Sequence, residues 1–182
     1  MRGLQLDYVP PQEFLSQYVK AMYPDLNAPL GAVIGRDAPR HADNYLYRDP
    51  DTGNRFTRGL FDLLGVKDFI EFRSRFVLTD AIRCHCSGPH VPDKPLSYCA
   101  RHLREELKLF PNLRMLVVLG EDAYLQFQRF MLERKESEFP PFEEALSKQG
   151  WADEQARLPA FGERTVQIFY CYHPTYGYKR SP

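Results

Sequence analysis

Three segments set far apart in the chain hold residue types that can do chemistry together: Gly35-Arg36-Asp37-Ala38-Pro39, Leu78-Thr79-Asp80-Ala81-Ile82-Arg83-Cys84 and Tyr172-His173-Pro174-Thr175. Each follows an apolar, strand-like run and sets a polar group just past it. Ligands bind at the carboxyl edge of open α/β sheets. On that edge Asp37, Asp80 and His173 would converge on one crevice, two carboxyl groups and an imidazole available for proton handling and for stabilising developing charge. That convergence makes the chain a candidate enzyme. Each residue also has a plain structural use: Asp37 as a turn or helix cap, Asp80 as a buried acid satisfied by backbone donors, and His173 as a structural histidine.

The elements that must position these groups follow from hydrophobic periodicity. Residues 11–22 read as a helix with Phe14, Leu15, Tyr18, Val19 and Met22 at helical spacing. Residues 30–34 read as a short buried strand closed by Gly35, and 36–54 as a long loop rich in Arg, Asp, Pro and Gly. A helix over 56–64 ends at Gly65, a helix-stop residue. The second strand spans 76–82, followed by a Cys/His/Pro/Gly loop over 84–95 and an amphipathic helix over 96–109 with Cys99, Leu103 and Leu107 in one stripe. Residues 113–119 form a third strand, apolar enough to be covered on both faces. Gly120 opens a helix running to about residue 132, and 140–148 form a short one. Residues 150–164 read as a connector, and 165–172 as the last strand before a Tyr-rich, basic tail. Four apolar strands alternating with helices predict an α/β fold, a parallel sheet covered by helices.

The composition narrows the class. The 182 residues are 43% hydrophobic, which suits one domain over 1–182 with one core. Lys plus Arg equals Asp plus Glu at 24 each, so a basic, non-specific nucleic-acid coat is excluded while a local basic lining is not. No apolar run reaches membrane-span length, and Asp7 and Pro10 interrupt the N-terminal region where a signal sequence would carry its apolar stretch. The expectation is a cytoplasmic monomer with its four cysteines reduced. Gly-x-Gly-x-x-Gly, the phosphate-binding Gly-x-x-x-x-Gly-Lys-Ser/Thr and Gly-x-Ser-x-Gly are all absent, which argues against a nucleotide-binding domain or a serine hydrolase.

Taken in order, five segments resemble motifs of the uracil-DNA glycosylase superfamily, most closely its iron–sulphur-bearing family 4. Gly35-Arg36-Asp37-Ala38-Pro39 resembles the water-activating motif, and Gly53-Asn54-Arg55-Phe56-Thr57-Arg58-Gly59 the segment supplying a base-stacking aromatic. Thr79-Asp80-Ala81-Ile82-Arg83-Cys84 resembles the base-reading strand end, Met115 to Gly120 with Ala123 the third strand and its helix, and His173-Pro174-Thr175 the closing His-Pro-Ser motif. The likeness covers roughly residues 30–180. It implies a three-layer α/β/α sandwich around a four-stranded parallel sheet and a monofunctional DNA glycosylase that hydrolyses the N-glycosidic bond of a deaminated or modified base. The implied catalytic residues are Asp37, for the water, and His173, as donor to the base. Ala38, Phe56 and Asp80 would hold the base. Arg36, Arg40, Arg55, Arg58, Pro174, Thr175, Lys179 and Arg180 would contact DNA carrying a flipped or single-stranded base. Phe56 equally reads as a core residue opening its helix.

The chain departs from the family pattern in three places. Position 80 holds Asp where uracil-excising members carry Asn. An ionised Asp80 only accepts hydrogen bonds, so it suits an exocyclic amine better than the O4 of uracil, whereas a protonated one would restore uracil recognition. The first motif has one extra residue, Asp in place of Glu, and Arg40 in place of the closing Gly. The N-terminal Cys-x-x-Cys of the cluster-bearing relatives is missing. The expectation is therefore no cofactor; Cys84, Cys86, Cys99 and His102 are the residues whose spacing would have to serve a cluster or a zinc ion. The alternative reading is a diverged member of the superfamily that binds damaged or single-stranded DNA without excising a base.

Overall fold

The computed structural model describes residues 23–37, 55–82, 93–149, 154–157 and 165–174. In chain order these residues form β1 (Gly31–Asp37), α1 (Arg55–Leu64), α2 (Phe69–Arg75), β2 (Phe76–Ile82), α3 (Asp93–Lys108), β3 (Met115–Leu119), α4 (Glu121–Gln126), α5 (Phe142–Gln149), β4 (Glu154–Arg157) and β5 (Thr165–Cys171). The strands lie in the order β2-β1-β3-β5-β4. β2, β1, β3 and β5 are parallel, and β4 pairs antiparallel with β5 at the edge. The expected four-stranded parallel sheet is present, with one short edge strand added. The helix expected over 11–22 lies outside the described residues.

Strand alternation divides the core into two layers. Ala32, Ile34, Val77, Leu116, Val118, Val166 and Ile168 face α3, α4 and α5, where Leu103, Leu107, Tyr124 and Phe127 meet them. Val33, Leu78, Val117, Leu119 and Cys171 face the opposite way, onto Leu60 of α1 and Phe69 and Phe72 of α2. The period-2 switch between faces is the physical reason both layers form, because every second residue of each central strand must be covered. The result is the α/β/α sandwich.

Several expectations are corrected. β1 does not stop at Ile34: Gly35, Arg36 and Asp37 are its last residues, held in the ladder by Gly35 and Asp37 opposite Asp80 and Ile82 of β2. The stretch read as a connector contains β4, whose Glu-Gln-Ala-Arg composition hides an edge strand paired on one side only. α2 was not expected at all. Its N-terminus is capped by Asp68, whose side chain accepts from the Glu71 amide at 2.8 Å. The helix after Gly120 is α-helical only to Gln126 and then widens into a π-helical turn over Phe127–Met131. There the buried Gln128 donates to the Tyr170 hydroxyl at 2.7 Å and accepts from Arg134 at 2.9 Å. Gly65 ends α1 as expected, with Val66 N–H donating back to the Phe61 carbonyl at 3.1 Å. Among the described residues no helix is long and apolar enough to cross a membrane.

Candidate functional site at the carboxyl edge

The chain leaves β1 towards β2 on one side and later returns to place β3 on the other. The carboxyl ends of β1 and β3 therefore flank the switch point of the sheet, where a crevice opens in folds of this kind. An ion pair spans it: Arg36, one residue from the end of β1, reaches Asp122 in the first turn of α4 at 3.2 Å. Both side chains are more than a third exposed, so the pair is worth little by itself and is readily exchanged for another anion.

His173 lies two residues beyond β5 on the same edge. The Gly120 amide donates to the Cys171 carbonyl at 2.7 Å, fixing where the chain leaves the sheet. Gly120 adopts φ 85° and ψ 165°, and a Cβ built on it would meet the His173 Cβ at 3.4 Å. The imidazole packs on the Phe56 ring of α1, with centroids 5.1 Å apart and planes tilted by 33°. Burial holds the His173 pKa below its ordinary 6.5, and the nearby Arg36 guanidinium lowers it further. The imidazole is neutral at neutral pH and keeps one N–H to donate. Because the unfolded chain binds the proton more readily, stability rises with pH between the lowered value and 6.5 and is lost as pH falls through that window. Replacing Arg36 with glutamine is expected to raise the His173 pKa towards 6.5 and to narrow that window. An imidazole NMR titration checks it, and an unchanged midpoint would contradict the proximity of the two groups.

Asp80 sits inside β2, one residue after Thr79. The Thr79 hydroxyl donates to Glu106 of α3 at 2.9 Å, so Thr79 faces the α3 layer and Asp80 the α1 layer. Asp80 is 5% exposed. It stands opposite Gly35, and a Cβ built on Gly35 would come within 2.6 Å of its Oδ1. The Asp80 carboxyl group thus occupies the space that a side chain at position 35 would need.

Phe56, Asp80 and His173 therefore lie on the α1 side of the sheet at its carboxyl edge, Phe56 and His173 in contact with Arg36 beside them, and Asp80 on β2, three strands across from β5. Asp37 is the last residue of β1, two strands across from β5, which corresponds to about 10 Å of lateral separation. Arg55 opens α1, Arg58 is exposed on it, and Pro174 is buried just after His173. Ala38, Arg40, Thr175, Lys179 and Arg180 lie outside the described residues. Of the residues considered for a metal, Cys99 is buried on α3 and His102 lies one turn on, while Cys84 and Cys86 are outside the described residues. Among the described residues no group of three or more His, Cys, Asp and Glu is placed to hold a metal ion. Burial pushes the Cys171 thiol up to about 11, so it stays protonated and unreactive.

Three features of the site escaped sequence reasoning. Asp122 lies in the first turn of α4, a usual place for a helix-stabilising acid, so nothing marked it as the partner of Arg36. Glu106 is buried although its type usually faces solvent, and Gly35 looked like a strand terminator. The signal available for Gly35 was its place beside an acid-bearing strand end, where a missing Cβ permits close approach. Models of protein families, compared with the chain, gave no match, and neither did curated proteins.

Proposed function

We propose that the chain is a DNA glycosylase that hydrolyses the N-glycosidic bond of a deaminated or modified base, uracil-type or amino-bearing, acting without a nucleotide cofactor. The observation that carries this reading is that Phe56 packs on His173 and that the buried Asp80 lies on the same side of the sheet, at the same carboxyl edge. An extruded base needs an aromatic surface to replace lost stacking, groups that read its edge, and a donor for the negative charge it acquires on leaving. Phe56, Asp80 and His173 supply one group of each kind.

In the reaction the bond between C1′ and the ring nitrogen breaks with its electron pair passing to the base. The sugar becomes oxocarbenium-like and the departing base anionic. The neutral His173 donates its N–H to a ring carbonyl oxygen of the base, where that charge accumulates. Asp37 accepts a hydrogen bond from the attacking water, whose oxygen bonds to C1′. The water proton compensates the base anion, leaving an abasic sugar. Arg36 lies close enough to His173 to favour the neutral imidazole, and it offers a nearby phosphate a charge-assisted contact in exchange for Asp122.

The test is a panel of oligonucleotides, each bearing one candidate base, with deaminated, modified and amino-bearing bases represented and cytosine and uracil among them, incubated with excess protein and treated with alkali. Strand scission at the candidate position is expected for at least one base. Tight, salt-sensitive binding with no scission on any base would instead support a superfamily member that holds DNA without cutting.

A further inference from the structure

We propose that Gly35 and Asp80 form one base-reading corner, and that it selects a pyrimidine bearing a 4-amino group over its 4-carbonyl counterpart. This rests on the glycosylase reading and adds the class of base. The two residues are opposite one another in the β1–β2 ladder, at the end of the sheet where His173 and Phe56 meet. A carboxylate accepts hydrogen bonds and offers none. An exocyclic amine gives it a donor, as when Asp or Glu accepts from cytosine N4, whereas a carbonyl at the same place opposes it with like partial charge. Cytosine-type bases also keep the 2-carbonyl oxygen to which His173 would donate.

Gly35 makes the arrangement possible. Any side chain at position 35 would start 2.6 Å from Asp80 Oδ1, closer than non-bonded atoms tolerate, and the carboxylate would have to turn away. Gly35 is thus a positioning residue acting through Asp80.

The experiment uses single-stranded oligonucleotides identical except for one central cytosine or uracil. Base release is followed under single-turnover conditions with wild type, Asp80→Asn and Gly35→Ala, and affinities for the same strands are measured in parallel. Wild type is expected to favour cytosine by about tenfold or more, in line with the worth of a good edge contact. Asp80→Asn, nearly isosteric, is expected to reverse the preference, because an amide donates to O4. Gly35→Ala is expected to lower the cytosine-to-uracil ratio without reversing it. Equal or better release of uracil by wild type, or an unchanged ratio in Asp80→Asn, would overturn the corner while leaving the glycosylase reading intact. No release of any base in the oligonucleotide panel would overturn the glycosylase reading. The affinity ratio then decides the corner alone: equal affinities for the two strands overturn it as well, and tighter binding of the cytosine strand sustains it.

Discussion

Replacing His173 with alanine is expected to slow base release by about 100- to 1000-fold in single-turnover measurements, equivalent to about 3–4 kcal/mol of lost transition-state stabilisation. In the proposed reaction the donor acts where charge develops, so its loss should lower the rate far more than the affinity for DNA. The partial burial of the imidazole makes the contribution large, since a hydrogen bond in a water-poor site faces less competition. The same burial, with Arg36, keeps the ring neutral, so the rate should stay flat as pH crosses 6.5, where an unperturbed histidine would titrate. His173→Gln keeps an N–H donor at similar reach on a more flexible side chain and is expected to recover part of the loss. A His173→Ala protein that releases base at the wild-type rate would remove the electrophilic role from this residue. A rate that changes several-fold around pH 6.5 and tracks the imidazole titration would contradict its neutral state.

The architecture was legible in the sequence wherever the apolar pattern was strong. β2 opens on Phe-Val-Leu and β3 reads Met-Leu-Val-Val-Leu, and these apolar runs mark both strands. Gly65 and Gly120 marked a helix end and a helix start, and both serve so. β4 was illegible because Glu-Gln-Ala-Arg carries no β-propensity signal; pairing with one side of β5 decides its state. α2 was missed because its seven residues are too few for a periodic pattern, and its Asp68 cap went unread. At the site, the residue types were legible and the contacts were not. The strand ends named Asp37, Asp80 and His173 as candidates. That His173 rests on Phe56, that Arg36 turns to Asp122, and that Gly35 yields its space to Asp80 depend on strand order, which hydrophobic pattern does not encode. Glu106 is the clearest case. A residue of charged type on an amphipathic helix is expected to face solvent, yet it is buried against the Thr79 hydroxyl, one residue from Asp80.

Gly120→Ala is expected to damage both the fold and the site, and the two losses can be separated. With φ at 85° and ψ at 165°, Gly120 occupies backbone space that is essentially reserved for glycine, and a residue forced there costs about 1–3 kcal/mol. In a chain of this size each kcal/mol lowers Tm by about 2–4 °C, so a thermal melt resolves the effect. The new methyl would stand 3.4 Å from the His173 Cβ, at the near limit of ordinary van der Waals contact, so it is accommodated where the strained turn is kept. Relaxing the turn instead strains the Gly120 to Cys171 hydrogen bond that sets where the chain leaves β5. That relaxation moves the imidazole relative to Phe56, and small displacements of the proposed donor are costly, so base release is expected to fall roughly ten- to a hundredfold at temperatures well below the melt. Because the protein is still folded there, lost stability does not explain a lost rate. A lowered Tm with wild-type base release would show that the turn supports the sheet without holding His173, and an unchanged Tm would contradict the glycine-only geometry itself.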